Sequence, residues 1–130
     1  MRIDKELSDY RFDAAAECLN EAQTLFNASQ YYGAANRLYY CIFNCMRSIL
    51  ALENVDFKKH SAVIGHFRKY YIHTGKFEFG EKLSDIITTL FNLRGESDYG
   101  AFFTIEKQDI IKQIENAEFF LGQVKAFLEK

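Results

Sequence analysis

The chain of 130 residues contains no proline and only 7 glycines, most of which fall between or at the ends of stretches with helical apolar spacing. Proline breaks helix interiors and punctuates strand-and-turn folds, so this lack points to an all-helical chain. It holds 3 cysteines, an odd number that suits a reduced interior and offers no disulfide framework. Charge of one sign is also lacking. A formal net charge of -2 and a pI near 5.9 exclude a surface coated in positive charge for duplex binding, so any nucleic-acid contact must be local. There is no long apolar run and no charged-then-apolar leader, and the expectation is a soluble, cytoplasmic protein with no membrane contact.

What is present is core material. Hydrophobic residues make up 48% and aromatics 16%, enough for one domain spanning residues 1–130 without metal or disulfide staples. Apolar spacing predicts helices at Asp4 to Ala28, Tyr31 to Glu53, Lys59 to Tyr71, Gly80 to Glu96 and Ile105 to Glu129. The intervening segments are short enough to make consecutive helices antiparallel neighbours. The expected architecture is all-α, an up-and-down antiparallel bundle of four to five helices.

The second predicted helix carries the widest apolar arc. Ala34, Ala35, Leu38, Cys41, Ile42, Cys45, Ile49 and Leu52 form one stripe, and Tyr32, Tyr39, Phe43, Met46 and Leu50 widen it to roughly half the circumference. Such an arc either meets two or three helices at once or buries a surface against another subunit. Together with Phe119, which lies off the stripe of the last helix, it leads to the expectation of a two-fold homodimer.

Polar residues interrupt these stripes. Arg94 lies four residues after Leu90 and seven after Ile87, in line with Leu83. A guanidinium aimed at the core must be paired or line a cleft, because an unpaired buried charge is very costly. Asp98 and Tyr99 follow. Either Asp98 locks the helix end against Arg94, with Arg37 as a further partner, or these residues form a site. Arg37 and Asn44 stack seven residues apart beside the core, with Cys41 and Ser48 between and beyond them, and make a second polar intrusion. His60 heads the line of Ile64, Phe67 and Tyr71, where it could pack or cap the helix start. Lys58, Lys59, Arg68 and Lys69 give this third helix the chain's local concentration of positive charge, which is either a solvated face or a phosphate contact.

Metal chemistry is not expected. His60, His66 and His73 are spaced six and seven apart, not at the i, i+4 separation of a two-ligand helix face. Cys41 and Cys45 have that separation but lie on an apolar stripe, where thiols fill core. No glycine-rich phosphate loop, nucleophile elbow or carboxylate pair stands out, and no cofactor is expected.

Three blocks in order carry a family resemblance: Ala34-Ala35-Asn36-Arg37-Leu38-Tyr39-Tyr40-Cys41-Ile42-Phe43-Asn44, then Lys59-His60-Ser61-Ala62-Val63-Ile64, then Arg94 to Tyr99. They resemble the small stand-alone HEPN domains of prokaryotes, over nearly the whole chain. The resemblance implies a helical bundle that commonly dimerises. It also implies a role in toxin-antitoxin, defence or RNA-processing systems, often with a minimal nucleotidyltransferase as partner. Active members of that superfamily cleave RNA without metal, using an Arg followed within a few residues by His. Arg94 matches the arginine, but Asp98 and Tyr99 stand in the following positions and no His occurs after His73. An ionised Asp98 would repel a phosphate, and a tyrosine with an ordinary pKa near 10 is a poor base at pH 7. His60 is the candidate substitute if the third helix brings it beside Arg94.

The functional expectation is thus a weak or degenerate metal-independent ribonuclease, or a module binding single-stranded RNA or nucleotide. The alternative is a non-enzymatic helical interaction module that dimerises or binds a partner nucleotidyltransferase.

Overall fold

A computed structural model describes residues 4–99 and 104–130, with the side chains of 96–99 outside the description. Five α-helices follow in order, α1 (Lys5–Asn27), α2 (Tyr31–Ala51), α3 (His60–Phe67), α4 (Gly80–Tyr99) and α5 (Lys107–Leu128), and there is no strand among the described residues. The chain is an all-α antiparallel bundle.

Local chemistry sets the ends. Asp4 caps α1 by accepting from the Leu7 amide at 3.0 Å, and the Asp109 carboxylate reaches back to the Glu106 amide at 3.0 Å to open α5. Ser29 at φ 60° and Asn54 at φ 58° turn the chain out of α1 and α2 through the left-handed region, which Asn tolerates better than most side chains.

Two boundaries differ by more than two residues from the sequence-based expectation. The third helix is α-helical only to Phe67, and Arg68–Ile72 forms a π turn closed by the His73 amide on the Arg68 carbonyl at 2.9 Å. Periodicity could not distinguish this, since Phe67 and Tyr71 point inward in either geometry. The fourth helix runs on through Tyr99 rather than stopping at Glu96, so the backbone of Asp98 and Tyr99 belongs to its last turn rather than to a connection.

Helix α2 is the axis of the bundle. It packs on α1, α3, α4 and α5, and from Ala34 to Leu50 the whole stripe is buried, with Leu38, Tyr39, Ile42, Met46 and Ile49 fully inaccessible. Contacts with α1 run in opposite directions along the two helices. Leu25 lies beside Gly33, Cys18 beside Asn44 and Arg11 beside Arg47. Tyr40, in the first half of α2, meets Arg94 near the end of α4.

The wide apolar arc is therefore satisfied by four neighbouring helices within one chain, and it leaves no surplus that a second subunit must cover. Of its members only Tyr32 is exposed. Phe119 is likewise engaged within the chain, with the Phe79 ring at 5.7 Å and the Lys82 ammonium 4.0 Å from its centroid. The homodimer expectation draws no support from either feature.

Candidate functional site

The site is built on consecutive tyrosines of α2. Tyr39 is fully buried, and its ring packs against Tyr40, Phe43 and Phe91 at 5.2, 5.8 and 6.0 Å. This aromatic floor carries the first residue of α3. The His60 ring sits 4.1 Å from Phe43, 5.8 Å from Tyr39 and 5.7 Å from Tyr40, and its Nδ1 is 2.9 Å from the Tyr39 hydroxyl. His60 does not serve as the N-cap of its helix, a position held by Lys59.

Arg94 reaches the same floor from α4. Its guanidinium carbon lies 5.4 Å from the Tyr39 ring centre and 5.6 Å from that of Tyr40, and one NH₂ approaches the Tyr40 hydroxyl at 3.5 Å. An aromatic face stabilises a guanidinium, which explains how an arginine can continue an apolar stripe. Tyr40 receives a second cation, since Arg37 stands 5.1 Å from its centroid. The structure thus brings Arg94, His60 and Arg37 together around Tyr39 and Tyr40. Asn44 is not part of this group. It faces α1, donating to the Cys18 sulfur at 3.8 Å, and Arg37 touches the same sulfur at 3.9 Å.

The carboxylate beside Arg37 is Glu21 of α1, at 3.5 Å, and the Asn36 side-chain oxygen accepts from Arg37 at 2.8 and 3.1 Å. The side chains of Asp98 and Tyr99, and with them the expected Asp98 lock, lie outside the described residues.

Electrostatics set the proton state of the imidazole. Burial lowers the pKa of His60, and the positive charges of Arg94 and then Arg47 lower it further, so His60 is neutral at pH 7. Burial pushes Tyr39 up to about 12, against the opposing effect of Arg94, so its hydroxyl keeps its proton. Tyr39 is fully buried, and among the described residues its hydroxyl makes its hydrogen-bonding contact with His60 Nδ1. A buried hydroxyl without an acceptor is penalised, so the Tyr39 hydroxyl donates to Nδ1, which places the imidazole proton on Nε2.

Beyond His60 opens a depression of about 450 Å³ lined by Phe43, Arg47, Asp56, Phe57, Lys58 and His60. Its wall contains an ion network that periodicity alone did not reveal. Asp56 accepts from Arg47 at 2.9 Å and from Arg11 at 3.1 Å, and Arg11 also donates to the Arg47 carbonyl at 3.1 Å. Arg11 is 8% exposed. Its spacing from Ser8, Ala15, Cys18 and Ala22 is that of a stripe, so the argument that singled out Arg94 applies equally to it.

The cysteines are core. Cys41 and Cys45 are fully buried, and burial raises the thiol pKa of both Cys45 and Cys18. Among the described residues, no group of three or more His, Cys, Asp or Glu is placed to hold a metal ion.

The all-α bundle with an arginine and a histidine set on paired tyrosines is consistent with the HEPN class, and comparison with known proteins settles the family. Residues 8–127 match the HEPN domain, and the chain belongs to that family. A UPF0332 protein of Thermotoga maritima is 29% identical over 99% of this chain and 96% of its own length. Two proteins of Methanocaldococcus jannaschii are also similar. Putative toxin MJ0605 is 34% identical over 91% of this chain and 86% of its own, and putative toxin MJ0142 is 29% identical over 98% and 85%. No helix among the described residues is long and apolar enough to cross a membrane.

Proposed function

We propose that this HEPN protein is a cytoplasmic, toxin-like component that binds single-stranded RNA and cleaves it slowly without metal, with Arg94 and His60 as the working groups. The observation that carries this reading is the placement of a guanidinium and a neutral imidazole on one aromatic floor. The names of the two archaeal relatives, both putative toxins, support the toxin-like part.

In the resting tautomer, Nε2–H of His60 and the guanidinium of Arg94 are both donors, suited to hold a phosphate. For cleavage, His60 must present an unprotonated Nε2, with Nδ1–H donated to the Tyr39 oxygen instead. It then takes the proton of a ribose 2′-hydroxyl. That oxygen attacks the adjacent phosphorus, the bond to the 5′-oxygen breaks, and the leaving oxygen takes the proton back from the His60 imidazolium, which restores the neutral ring. A 2′,3′-cyclic phosphate and a 5′-hydroxyl result. Arg94 stabilises the charge that develops on the phosphoryl oxygens. The need to exchange tautomers against a buried tyrosine makes binding the easier task and cleavage the slower one.

By family resemblance the protein works as a homodimer in a toxin-antitoxin-like system with a minimal nucleotidyltransferase as partner. The test is incubation with single-stranded RNA in excess EDTA. Cleavage should be lost in Arg94→Ala and strongly reduced in His60→Ala, with helical circular dichroism unchanged. Cleavage that survives Arg94→Ala refutes the assignment, and a folded wild-type protein that neither binds nor cuts RNA is an interaction module.

A further inference from the structure

The depression beside His60 leads onto a row of rings that the proposed chemistry does not use. Phe57, in the segment before α3, is 40% exposed and lies 5.5 Å from the His66 ring. His66 lies 4.5 Å from Tyr70, which is 43% exposed. Large exposed aromatics are costly in water, and two of them joined through a third ring form a continuous surface rather than scattered residues.

Charge accompanies the row. Lys58 lines the depression together with Phe57 and His60, and the Lys69 ammonium lies 5.2 Å from the Tyr70 ring centre. Both lysines are exposed and form no ion pair among the described residues. The nearby carboxylates are already engaged. Glu53 is held by His66 at 3.4 Å and by the Tyr71 hydroxyl, and Asp56 by Arg11 and Arg47. The row therefore presents π-faces flanked by two lysines that no carboxylate pairs among the described residues.

That combination fits a flexible polyanion carrying flat rings. Bases of a single strand stack on exposed aromatics while lysines meet the phosphates. A duplex keeps its bases stacked on one another and has none to offer. We propose that Phe57, His66 and Tyr70, with Lys58 and Lys69, form a stacking track for single-stranded RNA that delivers the strand to His60. This rests on the functional reading above, and it names residues that hold the strand outside the reacting centre.

The test measures binding apart from cleavage. The probe is a fluorescein-labelled, mixed-sequence single strand of about 12 nucleotides carrying 2′-O-methyl groups, which cannot undergo attack by a 2′-hydroxyl. Fluorescence anisotropy should show the double variant Phe57→Ala/Tyr70→Ala binding at least about tenfold more weakly than wild type at an unchanged melting temperature. Phe57→Trp/Tyr70→Trp should retain binding. Lys58→Gln/Lys69→Gln should lower the slope of log affinity against log salt by about 1.4, the value for two phosphate contacts on a single strand. Wild-type affinity in the double alanine variant, or no binding of the probe by wild type, overturns the track. Ring-dependent binding by a wild-type protein that cuts no RNA supports the track and defeats the catalytic reading. RNA cleavage that is unaffected, along with affinity, by loss of both rings does the reverse.

Discussion

Asp56→Asn isolates the ion network in the wall of the depression. The Asp56 carboxylate holds Arg47 through both oxygens, at 2.9 and 3.3 Å, and Arg11 at 3.1 Å, and it also accepts from the Phe57 amide at 2.9 Å. The amide replacement keeps the shape and removes the charge that two guanidinium groups share. Breaking a buried pair costs about 3 to 5 kcal/mol, but the Asp56 side chain is 44% exposed and water will partly replace it, so the expected loss is about 2 kcal/mol. At about 4 °C per kcal/mol for a domain of this size, the melting temperature at pH 7 should fall by about 8 °C. The pH dependence carries a sign. Burial pushes the Asp56 carboxyl upward, but the hydrogen bonds from Arg47 and the Phe57 amide and the charges of Arg47 and Arg11 outweigh it and hold the pKa below the usual carboxylate value. A lowered native pKa adds stability above the unfolded value near 4 and loses it as pH falls through the native one. The gap between wild type and Asp56→Asn should thus be full at pH 7 and close below about pH 4. Thermal melts followed by circular dichroism test both points. A variant that melts within about a degree of wild type at pH 7 would show that Arg11 does not depend on this carboxylate.

Two further outcomes follow from the geometry. In NMR titration, the His60 imidazole should protonate below the ordinary value of 6.5, and Arg94→Ala should move its midpoint upward by removing a nearby positive charge; an unmoved midpoint would place Arg94 away from the ring. Gly122, on the exposed side of α5, has nothing within 4 Å of where a Cβ would stand, so Gly122→Ala should stabilise the fold by about 0.5 to 1 kcal/mol in urea denaturation, and a loss of stability would contradict the helical geometry there.

The helices and their stripes were legible because each buries one face, and a 3.6-residue period records that directly. His60 and Arg94 were legible for the same reason, as polar residues on apolar lines. Arg11 answers to the same rule and shows that it needs applying to every helix. Asp56 could not be found this way, because it lies in the irregular segment between α2 and α3 and its role depends on where that segment folds back. That Glu21 stands beside Arg37 was not legible for a related cause. Spacing places residues on a helix but does not say which neighbouring helix faces them, and Glu21 of α1 is the carboxylate beside Arg37. The width of the arc on α2 gave the number of contacts needed and was silent on whether they come from one chain or two.

The burial of α2 has a consequence for how the site can move. Backbone amides surrounded on all sides by packed helices exchange with solvent only when the whole domain opens, so those of Tyr39 and Tyr40 should be among the slowest in the molecule. The floor under His60 and Arg94 is consequently as durable as the fold itself. Any adjustment that accompanies ligand entry must occur in the side chains set upon it and in the helices that deliver them, while the paired tyrosines serve as a fixed reference plane.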